Sequence, residues 1–329
     1  METPTTKEKF LGCIYGLAVG DALGYPVEFM SLNEIKQILG KEGVKDFESL
    51  KNPLIAKRIP QPIGSYSDDT QMSLATARGL LQSNTNELDE IMKNIVSNYV
   101  AWAESPENNR SPGMTCMAGI KNLKNGMSWK KSGVPNGDGC GAAMRTAPIG
   151  LYFYDGIHKL ANISRAASEC THGNQTAMAA GVGTAYLVAL AIQSYKPREM
   201  LKEVINFSRS LDDKLNKKLL DVERVINYDD HQKALTELGE GWRGDEALAM
   251  GLYCFMKNPH DFKKTVLMGA NTNGDSDSIA SIAGAISGAY NGLKTIPDEW
   301  INQIENRELL KQTAEELYQK VKTRQAIGL

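Results

Sequence analysis

The chain has 329 residues, 42% of them hydrophobic and 23% charged, with a formal net charge of −2. These are ordinary globular values, and they exclude the basic balance that binding to nucleic acid or an anionic membrane surface requires. The five cysteines, Cys13, Cys116, Cys140, Cys170 and Cys254, are scattered without CxxC spacing. Such thiols serve as small packing groups in a reducing compartment, so the expected location is cytoplasmic.

In chain order, METPTTKEKF lacks the apolar stretch of a signal peptide, and residues 1–9 are expected to form a flexible arm. IGSYSDDTQM (63–72) sets Asp68 beside Asp69, between Ser67 and Thr70, and runs into a predicted helix. Clusters rich in Gly, Pro and Asn at 105–113 (SPENNRSPG) and 132–141 (SGVPNGDGCG) read as loops. Residues 176–193, TAMAAGVGTAYLVALAIQ, carry no charge and approach the lower limit for a membrane span. Rich in Ala and Gly and without a second such run, they read as a buried central helix, capped by Thr171 or Asn174 and followed by Pro197.

Residues 202–226 space apolar positions by three and four with charges between them, like surface helices, and 307–324 repeat the pattern. Strand-type alternation never persists. The expectation is a mostly α single domain spanning 1–329, with its special chemistry in loops at helix N-termini.

A second acid–hydroxyl run, Asp275-Ser276-Asp277-Ser278, also opens a small-residue helix. Each run could simply cap its helix, which is worth about 1 kcal/mol. Two runs of hard oxygen donors without nearby His or Cys also suit Mg²⁺, Mn²⁺ or Ca²⁺ rather than zinc. Carboxylates gathered in one place would repel one another unless cations neutralised them, and two ions could position a water and a substrate oxygen.

GCIYGLAVGDALGYPVEF (12–29), YSDDTQM (66–72), NGDGCGAAMRTAPIG (136–150), THGNQTAMAAG (171–181) and NGDSDSIASIAGAISGA (273–289) together resemble the ADP-ribosylglycohydrolases, in order over most of the chain. That family includes the dinitrogenase reductase-activating glycohydrolase and the ADP-ribosylarginine hydrolases, and GWRGDEALAMGLYCF (241–255) is similar to a further segment of it. The resemblance implies an all-α orthogonal multi-helix bundle with two Mg²⁺ or Mn²⁺ ions in a cleft at helix N-termini. It carries a metal-ligand role onto Ser67, Asp68, Asp69, Asp275, Asp277 and Ser278, and a catalytic role onto Asp69, Asp277 or Glu28.

Substrate contacts implied by the same resemblance fall on Gly113, Met114 and Thr115 toward the diphosphate, on Asn136, Gly139, Cys140 and Gly141 toward the adenosine, and on His172. Trp242 could stack on adenine, and bland alternatives stand beside all of these: His172 as a satisfied core or capping group, the 137–141 glycines as a turn, Arg145 as an internal ion-pair partner and Trp242 in the core. The implied activity is hydrolysis of the bond between ADP-ribose and a protein side chain, arginine first. The alternatives are serine-linked or O-acetyl-ADP-ribose, or a noncatalytic ADP-ribose-binding or structural relative. The expected partners are an ADP-ribosylated protein and, in a protective role, a cognate ADP-ribosyltransferase toxin; no nucleic-acid or membrane partner is expected.

Overall fold

The computed structural model describes residues 3–53 and 61–326. These are helical with short connections, and pairing between extended segments is limited to three isolated bridges. The first helix, Thr6–Gly24, starts at a capping box in which Thr5 and Glu8 each satisfy the other's backbone N–H. Residues 6–9, expected within a flexible arm, are therefore ordered as its first turn. Lys9 is buried, donating to the carbonyls of Ala191 and Ile192 and to Ser194.

The helices Thr6–Gly24 and Ser276–Asn291 run antiparallel with their backbones in direct contact. Gly12 faces Gly288, Gly16 faces Gly284, Gly20 faces Ala280 and Gly24 faces Asp277. A Cβ on Gly16 would stand 2.3 Å from the Gly284 carbonyl oxygen, so only hydrogen fits there. Four-residue spacing keeps these positions on one face of each helix. Because the pair is antiparallel, the end of the first helix, with Asp21, meets the start of the other, with Asp275 and Asp277.

Gln175–Ile192 is the buried central helix expected from its composition, capped by Asn174, whose side chain accepts the N–H groups of Thr176 and Ala177. It and Thr6–Val27 are long and apolar enough to cross a membrane, and 89% and 100% of their apolar windows are buried inside this fold. The helical pattern of 202–226 belongs to two helices, Pro197–Ser208 and Asp213–Val225. Asp212 accounts for the break: its carboxylate accepts the Leu215 N–H at 2.8 Å and starts the second helix. At the C-terminus the predicted helix is present as Arg307–Ala326.

Candidate active site

The 67–70 segment is organised by Asp21, a buried carboxylate in the apolar stretch that follows the first turn of the first helix. Its Oδ1 accepts the Ser67 N–H at 2.8 Å, and its Oδ2 accepts the Thr70 N–H at 2.9 Å and the Thr70 hydroxyl at 2.6 Å. Ser67 caps the helix Asp68–Gln82 by accepting the Asp69 N–H at 3.2 Å. Asp68 Oδ2 accepts the Gly113 N–H at 3.1 Å, which ties the 110–113 loop to the acids.

On the facing helix, Asp275 is the cap: Oδ1 accepts the Ser278 N–H at 3.3 Å, and Oδ2 accepts the Cys140 thiol at 2.9 Å. Asp277 Oδ1 accepts the same Ser278 N–H at 3.1 Å. Capping and clustering are therefore not alternatives. Ser67 and Asp275 cap their helices, and those helix starts point the remaining acids at one another.

A cavity of about 510 Å³ separates the two runs. Glu28, Asp68, Asp69, Asp275, Asp277 and Ser278 line it, as do Gly113, Met114, Thr115, Gly139, Cys140, Gly141 and His172. Ser67 lies fully buried behind the wall. Asn136 does not reach the cavity. The Gly137 N–H closes a turn on the Val134 carbonyl at 3.0 Å, which leaves Asn136 exposed at the outer corner. The three isolated bridges, Met30–Gly274, Val134–His172 and Gly139–Arg243, all fasten loops around this cavity.

Burial raises the proton affinity of every acid here, and neighbouring carboxylates add to the effect for Glu28, Asp68, Asp69 and Asp277. Glu28, Asp68, Asp69 and Asp277 are all held well above the usual carboxylate range, Asp275 is raised, and Asp21 is pushed up to about 6. The adjacent guanidiniums are engaged elsewhere: Arg110 with Glu305, and Arg243 with Asp245. Glu28 Oε2 and Asp69 Oδ2 are buried without a hydrogen-bond partner.

Among the described residues, no three His, Cys, Asp or Glu side chains close onto a single point. The acids instead face one another across open space. Orphaned carboxylate oxygens, hydroxyls at the same helix starts and mutual repulsion together form a donor set that fits hard divalent cations.

A family model described as ADP-ribosylglycohydrolase matches residues 2–327. The chain belongs to the ADP-ribosylglycohydrolase family. It is 26% identical to the ADP-ribosyl-[dinitrogen reductase] glycohydrolase of Rhodospirillum rubrum, over 95% of this chain and 96% of that one. It is 25% identical to the ADP-ribosylarginine hydrolase Tri1 of Serratia proteamaculans, over 94% and 79% of the two chains. A solved structure titled ADP-ribosylglycohydrolase-related protein complex is similar with a TM-score of 0.76 and 26% identity, covering 95% of this chain and 98% of that chain.

Several features of this ADP-ribosylglycohydrolase escape the motif reading. Asp21 is one; it lies within the 12–29 motif, but nothing in the sequence assigns it a role beyond being an acid in a glycine-spaced apolar stretch. Trp242, expected in the core, is 36% exposed at the cavity mouth, stacked on Phe29 with ring centroids 5.2 Å apart. Phe29 and Ser111 both adopt positive φ, 65° and 55°, and both line the cavity. Strained non-glycine backbone concentrates at functional sites because surrounding structure must hold it there. Arg145, expected in an ion pair, has no carboxylate partner among the described residues; it donates instead to the Ala167 carbonyl and the Thr171 hydroxyl.

Proposed function

We propose that this ADP-ribosylglycohydrolase removes ADP-ribose from modified protein side chains, and that the linkage it cleaves is the N-glycosidic bond to arginine. The observation that carries this reading is the set of five buried carboxylates lining one cavity, Glu28, Asp68, Asp69, Asp275 and Asp277, with Asp21 buried behind them and no ion pair to any of the six among the described residues. Such a set, loaded with divalent cations, can polarise ribose and water oxygens beside a departing side chain. A cavity of about 510 Å³ is within the range of small-molecule sites, roughly 300–1,000 Å³. The helix Met114–Lys124 begins without a side-chain cap, which leaves backbone N–H groups at the cavity wall for a diphosphate.

Two Mg²⁺ or Mn²⁺ ions, held by Ser67, Asp68, Asp69, Asp275, Asp277 and Ser278, would supply Lewis-acid polarisation of ribose and water oxygens when bound. Glu28 is the residue best suited to move a proton. Its Oε2 is unpartnered, buried and inside the cavity, and burial beside Asp275 and Asp68 raises its proton affinity well above the usual carboxylate range, which favours uptake of a proton by a general base. The Glu28 main chain is steadied by Asn52, whose side-chain amide donates to the Glu28 carbonyl at 2.6 Å. Asp21 holds the 67–70 segment in register so that Asp68 and Asp69 face the cavity. Five unpaired cysteines agree with a reducing compartment such as the cytoplasm.

The test is release of ADP-ribose from arginine-modified protein in the presence of Mg²⁺ or Mn²⁺, with serine-linked and O-acetyl-ADP-ribose run in parallel. Preferential release from arginine is expected. Faster release from either alternative would reassign the linkage, and no release from any of them would remove the hydrolase reading. Loss of cell protection against an ADP-ribosylating toxin in a Glu28→Gln variant would separate enzymatic protection from simple toxin binding.

A further inference from the structure

Arg145 is fully buried, yet no carboxylate answers it among the described residues. Buried cations are ordinarily paired, because desolvation of an isolated charge is costly. Here the guanidinium lies over the Tyr99 ring, 4.8 Å from its centroid, and donates to the Ala167 carbonyl at 2.9 Å and to Thr171 Oγ1. The Thr171 oxygen is also 2.8 Å from Nδ1 of His172, a cavity-wall residue.

We infer that Arg145, acting through the Thr171 hydroxyl, holds His172 with its ring proton on Nε2, so that the cavity wall presents a hydrogen-bond donor to substrate oxygen atoms. Arg145 and Thr171 are on this account positioning residues. A guanidinium can only donate, so Thr171 Oγ1 accepts from Arg145 and has one proton of its own to give. Its two acceptors are the Ser168 carbonyl at 3.4 Å and His172 Nδ1 at 2.8 Å. The shorter contact takes the proton, Nδ1 becomes an acceptor, and the hydrogen bond at one ring nitrogen sets the state of the other.

The field acts in the same sense. The guanidinium is linked to the Nδ1 edge, whereas Nε2 lies against the Gly139–Gly141 turn, whose Cys140 thiol donates to Asp275. An imidazole between a cation and an acidic cavity is lowest in energy with its N–H toward the acids. Burial, reinforced by Arg145, keeps the ring neutral by lowering its proton affinity well below the ordinary histidine value. A Cβ on Gly141 would come within 3.3 Å of Nε2, so glycine there leaves the donor edge uncrowded.

The experiment is a side-chain ¹H–¹⁵N spectrum of the full-length, metal-free protein, which contains four histidines, with His172→Gln used for assignment. The wild type is expected to show the Nε2–H form. Thr171→Val removes the donor to Nδ1 and is expected to shift His172 toward Nδ1–H or a mixture, and Thr171→Ser to restore the wild-type pattern. Arg145→Met is expected to behave like Thr171→Val; where its buried site prevents folding, the threonine pair carries the test. An Nδ1–H wild type, or a Thr171→Val spectrum unchanged from it, overturns the relay.

The donor role rests on the ADP-ribose reading, so free ADP-ribose is the second probe. Thr171→Val is expected to weaken its binding about tenfold, the loss of one hydrogen bond, with Thr171→Ser close to wild type. Undiminished binding with an altered tautomer overturns the donor role. Failure of ADP-ribose to bind the wild type overturns the functional reading and the donor role with it, while the spectra still decide the relay.

Discussion

Thr70 gives Asp21 two hydrogen bonds, its N–H at 2.9 Å and its hydroxyl at 2.6 Å, and thereby locks the start of the Asp68–Gln82 helix onto the end of the first helix. Asp21 itself does not line the cavity, so its effect on Asp68 and Asp69 is indirect. Groups that orient metal ligands in this way typically change affinity by roughly 10–100-fold when replaced. Asp21→Asn is expected to weaken Mn²⁺ binding by that factor, measured by calorimetry, while the metal-free protein stays folded by circular dichroism. Unchanged affinity would confine Asp21 to the fold.

The acids also predict how stability depends on pH. Their folded proton affinities are raised, so between about pH 4, where unfolded carboxylates ionise, and the raised values the folded state holds more protons. Stability is therefore fully present below about pH 4 and falls as pH rises through that window, which reaches about 6 for Asp21; Glu28, Asp68, Asp69 and Asp277, also held well above the usual carboxylate range, act in the same direction. In EDTA, Tm is expected to fall between pH 5 and pH 7. Added Mg²⁺ or Mn²⁺ should raise it, by more at pH 7 than at pH 5. A metal-induced rise independent of pH would contradict the electrostatic account.

Glu28→Gln separates chemistry from stability. The amide keeps the shape of the side chain and removes both its proton affinity and its repulsion toward Asp275 and Asp68. Hydrolysis is expected to drop by about 10²–10⁴-fold, the range for a general base, while metal-free Tm holds or rises. A variant that loses activity and stability together would mark Glu28 as structural.

Gly284→Ala tests the helix pair directly. Its Cβ would stand 2.0 Å from the Gly16 carbonyl oxygen, a backbone atom that cannot swing aside. Overpacking of this kind costs about 1–3 kcal/mol or more. Denaturant midpoints should fall accordingly, and metal affinity should fall with them, because the same pair brings Asp21 and Asp277 together.

The local chemistry was legible in the sequence, whereas its long-range partners were not. Two acid–hydroxyl runs announce themselves by composition, and the central helix by its uncharged length. Asp21 reads as an isolated acid until the fold brings it to Ser67 and Thr70, 46 and 49 residues away. Trp242 is exposed because Phe29, more than 200 positions earlier, supplies its stacking partner at the surface. Asn136 matches a motif by position, yet the turn closed by Gly137 points it outward. The break at 209–212 turns on a cap, which a periodicity of three and four cannot register.

The pairing of Gly12, Gly16 and Gly20 with residues 280–288 joins the two ends of the chain. Contacts so distant in sequence form slowly, because the loop between them must be closed before they contribute. During synthesis the first helix emerges some 250 residues ahead of its partner, with Asp21 among its apolar residues and nothing yet to accept. The acid cavity therefore cannot assemble on a partial chain. Chains truncated before residue 275 should lack high-affinity cation binding altogether, and the acquisition of that binding would report that the whole polypeptide has closed on itself.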